Sequence, residues 1–373
     1  MSQSDIHYMQ HCLTLAEKGG FKARPNPLVG ALVVKDDEIV AEGWHKQAGQ
    51  AHAEINALEA AGDKSQGATL YVTLEPCSFT GKTGPCSEAV VASGVSRVVY
   101  GMVDPNPKVS GGGLEVIRAA GINVDGPVLE QEAMALNPGF IKSMTTGLPF
   151  LRCKLAMSLD GRTAMASGES KWITGPEARE QVQKLRAGSG AIITGIETVL
   201  ADDPGLDVRS DLDCEQPIRV IVDSSLRIEK EAKILNLPGE IVIATAVSSK
   251  ELLAEKQKSL GNNNVTFYSC ANADGKVNLD QLLRYLVSDK QCLDILLESG
   301  AQLAGAMLAE RLIDEIITYI APSLLGSEAR PLFNLHGLSR LEDRIDLEIM
   351  DVAMVGKDCR MRTRPVYQKN HQE

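Results

Sequence analysis

Four residues between positions 52 and 86 carry side chains that can bind and use a metal ion. His52 and Glu54 belong to the segment His-Ala-Glu, and Cys77 and Cys86 each follow a proline. Imidazole nitrogen and thiolate sulfur are ligands that zinc prefers, and a catalytic zinc site keeps one of its four positions for water. We therefore expect His52, Cys77 and Cys86 to hold zinc, which lowers the pKa of a bound water to near neutrality.

Glu54 is the residue placed to move protons beside such a water. A carboxylate near the metal can take a proton from the water and return it to a leaving group. If residues 52–61 form a helix, His52 and Glu54 lie in its first turn, near the positive end of the helix dipole. One histidine, two cysteines and a glutamate that is not a ligand form the signature of zinc deaminases, so the stretch predicts hydrolytic removal of an amino group.

Two other interpretations of the same residues are open at this point. A structural zinc site would need a fourth protein ligand, and the nearest spare candidate is His45, seven residues before His52. Cysteines are also often small buried apolar side chains, in which case no metal would bind.

Composition and charge limit the class of substrate. The chain has 373 residues, of which 44% are hydrophobic and 23% charged, and its formal net charge is −11. Residues 1–145 alone hold 11 lysines and arginines against 16 aspartates and glutamates. A protein that grips a nucleic-acid backbone usually carries a basic stripe, so a small-molecule substrate is favoured over RNA or DNA.

Length and patterning predict a cytoplasmic chain of two domains. The length exceeds that of one ordinary hydrophobic core. The start lacks the basic region and apolar run of a secretory signal, and no segment reaches the roughly 18 apolar residues that span a bilayer. The eight cysteines are scattered along the chain, which fits a reducing cytoplasm.

Hydropathy patterning in the first half predicts alternating helices and strands. A helix is expected over residues 5–18 with Asp5 as its cap, followed by a hairpin of strands at 28–34 and 39–43. Further strands are expected at 69–75, 97–102 and 122–124, and further helices at 52–61, 86–93, 113–120 and 129–135. This alternation predicts a three-layer α/β sandwich.

A tract without periodicity, residues 137–149, is predicted to join two domains, which we place at 1–145 and 146–373. The second domain opens with a strand that starts near Pro149, and a helix is expected to begin within residues 174–177. Further strands are predicted at 191–195, 218–223, 240–246 and 293–298. Helical stretches lie between several of these strands, so the second domain is expected to be α/β as well.

Polar residues of the second half indicate a site for an anionic ligand. Residues 298–305 follow a strand and open a helix, whose backbone N–H groups can bind phosphate, although neither nucleotide-binding glycine fingerprint occurs. Arg186 and Arg209 could grip a phosphate or form ordinary surface ion pairs. Trp172 could stack on a planar ring or anchor a core. These residues indicate a nucleotide-like anion and do not by themselves predict a hydride transfer.

With these residues assembled, the chain resembles the bifunctional deaminase/reductase family of riboflavin biosynthesis along nearly all of its length. The first half is similar to the cytidine-deaminase-like domain of that family, and the second half to its dihydrofolate-reductase-like α/β domain. The matching stretches of the first half are PNPLVGALVV, GWHKQAGQAHAE, TLEPCSFTGKTGPC and DPNP. Those of the second half are KLAMSLDGRTA, SGESKWITG, TVLADDPGLDVR, IVDSSLRI and LLESGAQL.

The resemblance implies two successive reactions on a phosphoribosylaminopyrimidine. The first is zinc-dependent hydrolysis of the 2-amino group of 2,5-diamino-6-(5-phosphoribosylamino)pyrimidin-4(3H)-one, with Glu54 as the proton carrier. The second is NADPH-dependent reduction of the ribosyl C1′ of 5-amino-6-(5-phosphoribosylamino)uracil, which opens the sugar to a ribitylamino chain. The resemblance also implies a homo-oligomer, either a dimer or a tetramer.

The resemblance assigns residues to each of the two sites. Lys154 is a candidate catalytic residue of the reduction. The implied substrate contacts are Asn26, His45 and Lys82 in the first domain, and Ser170, Arg186, Leu206, Arg209 and Glu298 in the second. The implied cofactor contacts are Ala156, Trp172, Thr198, Asp202, Ser225, Gly300, Ala301, Gln302, Leu303, Ala304, Gly305 and Ala306.

Three positions depart from the family pattern. Phe79 stands where the family usually has histidine, Gly84 where it usually has a second proline, and Ser299 where it often has glycine. The first two lie between the zinc cysteines without replacing either, so they concern the substrate contacts of that loop and not the metal.

Three alternative functions make different predictions. A deaminase whose second half has no catalytic role would not oxidise NADPH. A nucleic-acid deaminase would be retained on RNA at moderate salt. A zinc-stabilised binding module would release no ammonia.

Overall fold

The computed structural model describes residues 2–78, 84–107 and 109–367. The chain folds into two compact units, Met1–Gly147 and Leu148–Glu373, each with its own hydrophobic core. No helix among the described residues is both long and apolar enough to cross a bilayer.

The first unit is built on a five-stranded mixed sheet with strand order β2-β1-β3-β4-β5. Its elements are α1 (Gln3–Glu17), β1 (Gly30–Lys35), β2 (Glu38–Trp44), α2 (Ala53–Ala61), β3 (Thr69–Leu74), α3 (Cys86–Ala92), β4 (Arg97–Met102), α4 (Gly112–Ala119), β5 (Asn123–Asp125), α5 (Glu130–Leu136) and α6 (Pro138–Thr146). Strand β1 pairs antiparallel with β2 and β3, whereas β3, β4 and β5 run parallel.

Helices cover both faces of this sheet. Successive residues of a strand point to opposite faces, and in β1 both sets are buried. Ala31 and Val33 pack in the cluster that contains residues of α2, α3 and α4, whereas Leu32 and Val34 pack in the cluster that contains residues of α1. The predicted three-layer α/β sandwich is therefore confirmed.

Two local predictions in this unit are wrong. The N-cap of α1 is Ser2, and Asp5 is instead the third helical residue of a capping box, where its carboxylate accepts from the Ser2 N–H. The tract predicted to lack periodicity contains α6. Pro138 stands at the first helical position of α6 and Gly147 follows its end with a φ of 70°, which are the places where a helix tolerates proline and favours glycine.

The second unit is built on a nine-stranded sheet with strand order β11-β10-β9-β8-β12-β6-β13-β16-β15, beside the two-stranded pair β14-β7. Its elements are β6 (Phe150–Ser158), β7 (Arg162–Ala164), α7 (Pro176–Ala187), β8 (Ala191–Gly195), α8 (Ile196–Asp202), β9 (Ile218–Val222), β10 (Ile241–Thr245), α9 (Lys250–Leu260), β11 (Val265–Ser269), α10 (Leu279–Ser288), β12 (Asp294–Leu297), α11 (Ala301–Ala309), β13 (Glu315–Ala321), β14 (Arg330–Pro331), β15 (Asp346–Val355) and β16 (Asp358–Val366). The predicted α/β class of this half is confirmed.

The strands from β11 across to β13 run parallel, so their carboxyl ends share one edge of the sheet. Parallel α/β sheets bind ligands at this edge. The final strands β16 and β15 add an antiparallel hairpin beyond β13. The sequence pattern did not predict this hairpin, because both faces of β15 are largely exposed and no buried face marks it as a strand.

Candidate active sites

The first unit brings His52, Cys77 and Cys86 together. Their ligand atoms all lie within 4.8 Å of one another. His52 is the N-cap of α2 and Cys86 is the first residue of α3, so two helix starts and the loop after β3 supply the three groups. His52 Nδ1 lies 3.1 Å from Cys86 Sγ and 3.8 Å from Cys77 Sγ, and the Cys86 backbone N–H donates to Cys77 Sγ at 3.4 Å.

The donor set fits a divalent cation. The hydrogen bond with Cys86, aided by His52, lowers the pKa of Cys77 to about 4. The same contact with Cys77, together with burial, raises the pKa of Cys86 far above its ordinary value. Both sulfurs can therefore be thiolates only if a positive charge compensates them, which is what a zinc ion does.

Glu54 lies beside this cluster in the first turn of α2, as predicted. Its side chain is buried, and burial raises the pKa of the carboxyl group to about 7. Glu54, His52 and Cys77 line a pocket of about 180 Å³. A carboxyl group with this pKa can both accept and donate a proton near neutral pH.

Asn26 and His45 line the same pocket, and their hydrogen bonds fix each other's orientation. His45 Nδ1 lies 3.1 Å from the Ala51 carbonyl oxygen, so Nδ1 must carry the proton it donates there. Burial lowers the pKa of His45, which favours the neutral ring. His45 Nε2 then accepts from Asn26 Nδ2 at 3.1 Å, and the Asn26 carbonyl oxygen is left to accept from a ligand.

Sequence reasoning missed Glu75, which also lines this pocket. The buried Glu75 carboxylate accepts four backbone N–H groups at 2.9–3.3 Å, from Asp104, Gly111, Gly113 and Leu114. Glu75 thereby ties the loop after β4 to the loop that carries Cys77. The signal was present in the motif TLEPC, where an acid ends a buried strand directly before the cysteine loop.

The loop after β4 also brings Asp104 into the pocket. Asp104 begins the DPNP motif and is buried, and burial raises the pKa of its carboxyl group to about 6. The Asn137 side chain accepts from the Leu28 backbone N–H at 2.7 Å and donates to the Leu28 carbonyl oxygen at 2.8 Å. These two hydrogen bonds fix the segment that carries Asn26. These contacts join residues far apart in sequence, so spacing alone could not predict them.

Two predictions concern the loop between the cysteines. Lys82 and Phe79 lie outside the described residues. Gly84 is described, and a side chain built there would meet no atom within 4 Å, so its backbone would accept other residues.

In the second unit, an open cleft of about 1350 Å³ lies at the carboxyl edge of the parallel strands. The cleft contains all the predicted substrate contacts of this unit, Lys154, and most of the predicted cofactor contacts. Its lining comes from β6, the start of α8, the loop after β9 and the start of α11. The fold thus gathers residues separated by about half the chain's length into one cleft.

Lys154, Arg186 and Glu298 form a charged group in this cleft. Arg186 is buried and donates to Glu298 at 2.6 and 3.1 Å, and its third nitrogen donates to the Asp207 carbonyl at 2.9 Å. Burial would raise the pKa of Glu298, but Arg186 and Lys154 hold it below its ordinary value. Burial lowers the pKa of Lys154 against the opposing effect of Glu298.

The two predicted phosphate-binding arginines differ in their surroundings. Each nitrogen of Arg186 already donates within the protein, as described above. Arg209 is half-exposed, with its Nε 3.5 Å from Asp207 Oδ1. Arg209 is therefore the arginine better placed to meet an incoming phosphate.

Polar contacts also order the predicted cofactor residues. The Gly300 N–H donates to Thr198 Oγ1 at 3.1 Å, which joins the loops after β12 and β8. Ser170 donates to Asp202 at 3.1 Å. Trp172 is 69% exposed, with the Arg179 guanidinium 4.8 Å from its ring centroid, so it is not a core anchor and its indole is accessible for stacking.

Not every residue of the predicted run 300–306 lines the cleft. Gly300, Ala301, Gln302, Leu303 and Ala306 do so, whereas Ala304 and Gly305 do not. Ala304 is buried in the core, and a Cβ at Gly305 would lie 2.2 Å from the Asn334 oxygen. A helix turns successive residues to different sides, so a continuous run cannot face one ligand.

Comparison with known proteins identifies the chain. Residues 149–360 match the model of the RibD C-terminal domain, and residues 2–102 match that of the cytidine and deoxycytidylate deaminase zinc-binding region. The riboflavin biosynthesis protein RibD of Escherichia coli is 47% identical, over 95% of this chain and 97% of that protein. The chain belongs to the RibD family.

Solved RibD structures share the whole fold. The structure of Acinetobacter baumannii RibD has a TM-score of 0.90 at 44% identity and covers 98% of this chain and 99% of its own. A Thermotoga maritima structure, described as a diaminohydroxyphosphoribosylaminopyrimidine deaminase/5-amino-6-(5-phosphoribosylamino)uracil reductase, has a TM-score of 0.85 at 32% identity and covers 97% and 99%. As a RibD protein, the chain combines a zinc-binding deaminase domain with a reductase domain and acts in riboflavin biosynthesis.

Proposed function

We propose residue roles for two successive reactions, hydrolytic deamination of the diaminopyrimidine ribosyl phosphate in the first unit and NADPH-dependent reduction of the ribosyl group in the second. The observation that carries the proposal is the buried Glu54 carboxyl group beside a histidine–dicysteine cluster. The second cleft, which gathers Lys154, Glu298 and Arg209 with the predicted cofactor residues, supports the reductive step.

In the deaminase site, His52, Cys77 and Cys86 would hold the zinc ion. Bound zinc would supply a Lewis acid that makes water nucleophilic near neutral pH. Glu54 takes a proton from the attacking water and delivers it to the amino group that departs from C2 as ammonia. His45 orients Asn26, whose carbonyl oxygen accepts from the substrate. Lys82 is assigned to the ribose phosphate by its place in the family motif.

In the reductase site, NADPH would supply the hydride. Arg209 binds the substrate phosphate, and Arg186 orients Glu298 toward the substrate. Ser170 and Leu206 complete the substrate contacts. Trp172, Thr198, Asp202, Ser225, Ala156 and the cleft-facing residues of 300–306 hold the cofactor. The main contribution of these residues is to align donor and acceptor.

Lys154 completes the reduction by a proton transfer. C1′ gains a hydride as its bond to the ring oxygen breaks, and that oxygen then needs a proton. Lys154 donates it as the sugar opens. Its lowered pKa supports this role, because a lysine that is less basic than usual gives up its proton more readily.

The direct test supplies the diaminopyrimidine ribosyl phosphate with and without NADPH and identifies products by mass. Loss of the amino group without NADPH, followed by a gain of two hydrogens with it, is expected. Deamination with no NADPH oxidation would instead favour the deaminase-only alternative. Glu54→Gln should retain zinc and release no ammonia, whereas ammonia release at the wild-type rate would refute the role of Glu54.

We also propose that the chain forms a homo-oligomer, a dimer or tetramer, in the cytoplasm. The exposed apolar residues Leu347, Ile349, Val352 and Met354 on edge strand β15 support self-association. The eight cysteines are scattered along the chain and are not arrayed as a disulfide framework, which supports a reducing compartment. Light scattering should give a multiple of the chain mass, and a monomer mass would contradict the proposal.

A further inference from the structure

The segment 170–174 lines the reductase cleft with all five of its residues, yet none of them is buried. Burial therefore does little to hold the segment in place, and polar contacts at its two ends do so instead. At its start, Ser170 donates to Asp202 Oδ1 at 3.1 Å, and Lys171 Nζ donates to the Asp202 carbonyl oxygen at 2.8 Å. These two contacts fix the first end of the segment to α8.

The other end of the segment runs directly into α7. Arg179 of α7 donates to the Thr174 carbonyl oxygen at 2.8 Å, and its guanidinium lies 4.8 Å from the centroid of the Trp172 ring. Gly175 is the N-cap residue of α7, and glycine has no side chain with which to cap the helix. The position of segment 170–174 therefore depends on what holds the first turn of α7.

Asp358 holds this turn from a distant part of the chain. It is the first residue of β16, 183 residues from Gly175, and it is fully buried. Asp358 Oδ2 accepts from the Gly175 N–H at 2.6 Å, which is a short, charge-assisted hydrogen bond. The positive end of the α7 dipole also favours a negative charge here. Asp358 thus does for α7 what the side chain of Gly175 cannot.

The second oxygen of the Asp358 carboxylate makes this residue costly to bury. Oδ1 is buried and accepts no hydrogen bond from any of the residues that the structure describes. A buried carboxylate with so few partners lowers the stability of the fold. An uncharged side chain would avoid this cost, so the charge indicates a requirement beyond stability, of the kind that functional sites impose.

The turn between β15 and β16, which leads to Asp358, packs tightly against α7. Gly356 in this turn has a φ of 59°, and a Cβ placed on it would lie 2.5 Å from Glu177 Oε2 in the first turn of α7. Next to the turn, Val355 shares a buried apolar cluster with Ala178 of α7. The hairpin is therefore a fixed support, from which the Asp358 carboxylate sets the start of α7.

We propose that Asp358 is a positioning residue of the reductase. By holding the first turn of α7, its carboxylate keeps segment 170–174 at the wall of the cleft, where Ser170 meets the substrate and Trp172 the cofactor. Asp358 does not itself line the cleft, so it acts through this segment. The inference rests on the proposed reductase function, which gives Ser170 and Trp172 their roles.

Fluorescence reports the state of the segment directly, because the chain has only two tryptophans. Trp44→Phe removes the tryptophan of the first unit and leaves Trp172 as the sole tryptophan of the full chain. In this background, Asp358→Ala should lower the anisotropy of Trp172 emission, since a segment released at one end moves more freely. This measurement needs neither substrate nor cofactor.

Reduction of the deaminated substrate measures the effect on function. Asp358→Ala should lower kcat/KM for NADPH by about tenfold or more, because small displacements in an active site have effects of this size. Asp358→Asn keeps an oxygen that can accept from the Gly175 N–H but loses the charge, so it should lower kcat/KM by only about threefold. Deamination in the first unit should be unchanged in both variants.

The matched control is Asp346→Ala, which removes an acid from β15 of the same hairpin. Asp346 is 54% exposed and pairs with Arg344, two residues before it. Anisotropy and reduction should both stay at their wild-type values in this variant. Thermal unfolding of each variant separates positioning from stability. A purely structural Asp358 would change the unfolding temperature and leave both readouts unaltered at a temperature where the chain is fully folded.

Two results would overturn the inference. One is a wild-type value of either readout in Asp358→Ala, and the other is an equal change in Asp346→Ala. If Asp358→Ala does not fold, Asp358→Asn decides in its place by the same two readouts. Failure of the proposed function is a separate outcome, because then the wild-type chain would oxidise no NADPH with the deaminated substrate, while the anisotropy would still report on Trp172.

Discussion

At the residue scale, the first prediction concerns Glu75. Glu75→Gln keeps the shape of the side chain but replaces one carboxylate oxygen with an N–H₂ group. Both oxygens now accept hydrogen bonds from backbone N–H groups, so the new N–H₂ group would face a donor. We expect the loop that carries Asp104 to shift and deaminase kcat/KM to fall by about ten- to hundredfold, because small misplacements in an active site have effects of this size. Ammonia release measures the loss.

Two properties of the Glu75→Gln variant and one further substitution serve as controls. Zinc content and NADPH-dependent reduction should be unchanged, since Glu75 is not a ligand and lies in the first unit. Glu115→Gln, an exposed change in the first turn of α4, should leave deamination at its wild-type rate. If Glu75→Gln also retains full deaminase activity, its carboxylate does not position the loop.

The second residue-scale prediction concerns Lys154. Lys154→Met should lower the reduction rate by about a hundredfold or more, the usual contribution of a general acid, while deamination continues. Because the protonated amine is the active form, the wild-type rate should fall as pH rises through the pKa of Lys154. Burial lowers that pKa, so the fall should occur below the ordinary range of lysine.

Lys154→Arg separates charge from proton donation. Arginine keeps the positive charge but does not release its proton at ordinary pH, so this variant should bind substrate and still reduce it slowly. Stopped-flow oxidation of NADPH across a pH series measures both effects. A variant Lys154→Arg with the wild-type rate would show that charge alone is needed.

Site residues could be predicted where the chemistry is local in sequence. His52 and Glu54 are two residues apart, and each zinc cysteine follows a proline, so the residue types alone indicated the reaction. Glu75 and Asn137 escaped prediction because their partners lie 29 to 109 residues away. A separation of 112 residues likewise hid the Arg186–Glu298 pair, which fold topology alone brings together.

At the element scale, Asp5 joins α1 to the sheet of the first unit. Its carboxylate accepts from Arg97 at 2.8 Å and from the Tyr71 hydroxyl at 2.8 Å, and it is buried. The Arg97 guanidinium holds the pKa of Asp5 well below its ordinary value. The charged form is therefore favoured in the folded state, and ionised Asp5 stabilises the fold.

We expect Asp5→Asn to destabilise the first unit by about 2 kcal/mol at neutral pH, the scale of a lost hydrogen bond to a charged group. Since the folded pKa is depressed, this contribution is complete above the unfolded pKa and is lost as the pH falls below about 4. Calorimetry of the full chain at pH 7 and at lower pH measures the difference between wild type and variant.

Asp125 provides the matched control, because it pairs with the same arginine but is 56% exposed. Asp125→Asn should cost less than about 1 kcal/mol, as exposed ion pairs do. Equal destabilisation by both substitutions at pH 7 would show that burial of Asp5 does not matter.

Most elements of the first unit were predictable because burial on one face or on both gives their apolar residues a clear pattern. All ten predicted segments exist there, with ends that differ by two residues or fewer. The pattern failed at α6, where proline and glycine at the helix ends resembled a linker, and at β15, where no buried face imposes alternation. Burial creates most of the pattern, so an exposed strand such as β15 leaves little trace in the sequence.

At the scale of the whole molecule, each site is built within one compact unit. The zinc ligands, Glu54 and Glu75 lie in Met1–Gly147, and every residue that lines the reductase cleft lies in Leu148–Glu373. The two reactions should therefore be separable by substitution in the full chain, without removing either unit.

Mixing two variants, each impaired in a different reaction, tests this independence. Glu54→Gln should reduce the deaminated substrate but not form it, and Lys154→Met should form it but reduce it poorly. An equimolar mixture, given the diaminopyrimidine substrate and NADPH, should yield the ribitylamino product, because the intermediate released by one chain can enter the cleft of another. Product mass measured against time, with each variant alone as control, reports the result. If the mixture forms no ribitylamino product and the deaminated intermediate stays bound to the protein in no more than the amount of enzyme, the intermediate is handed over between sites without release, and the sites do not act independently.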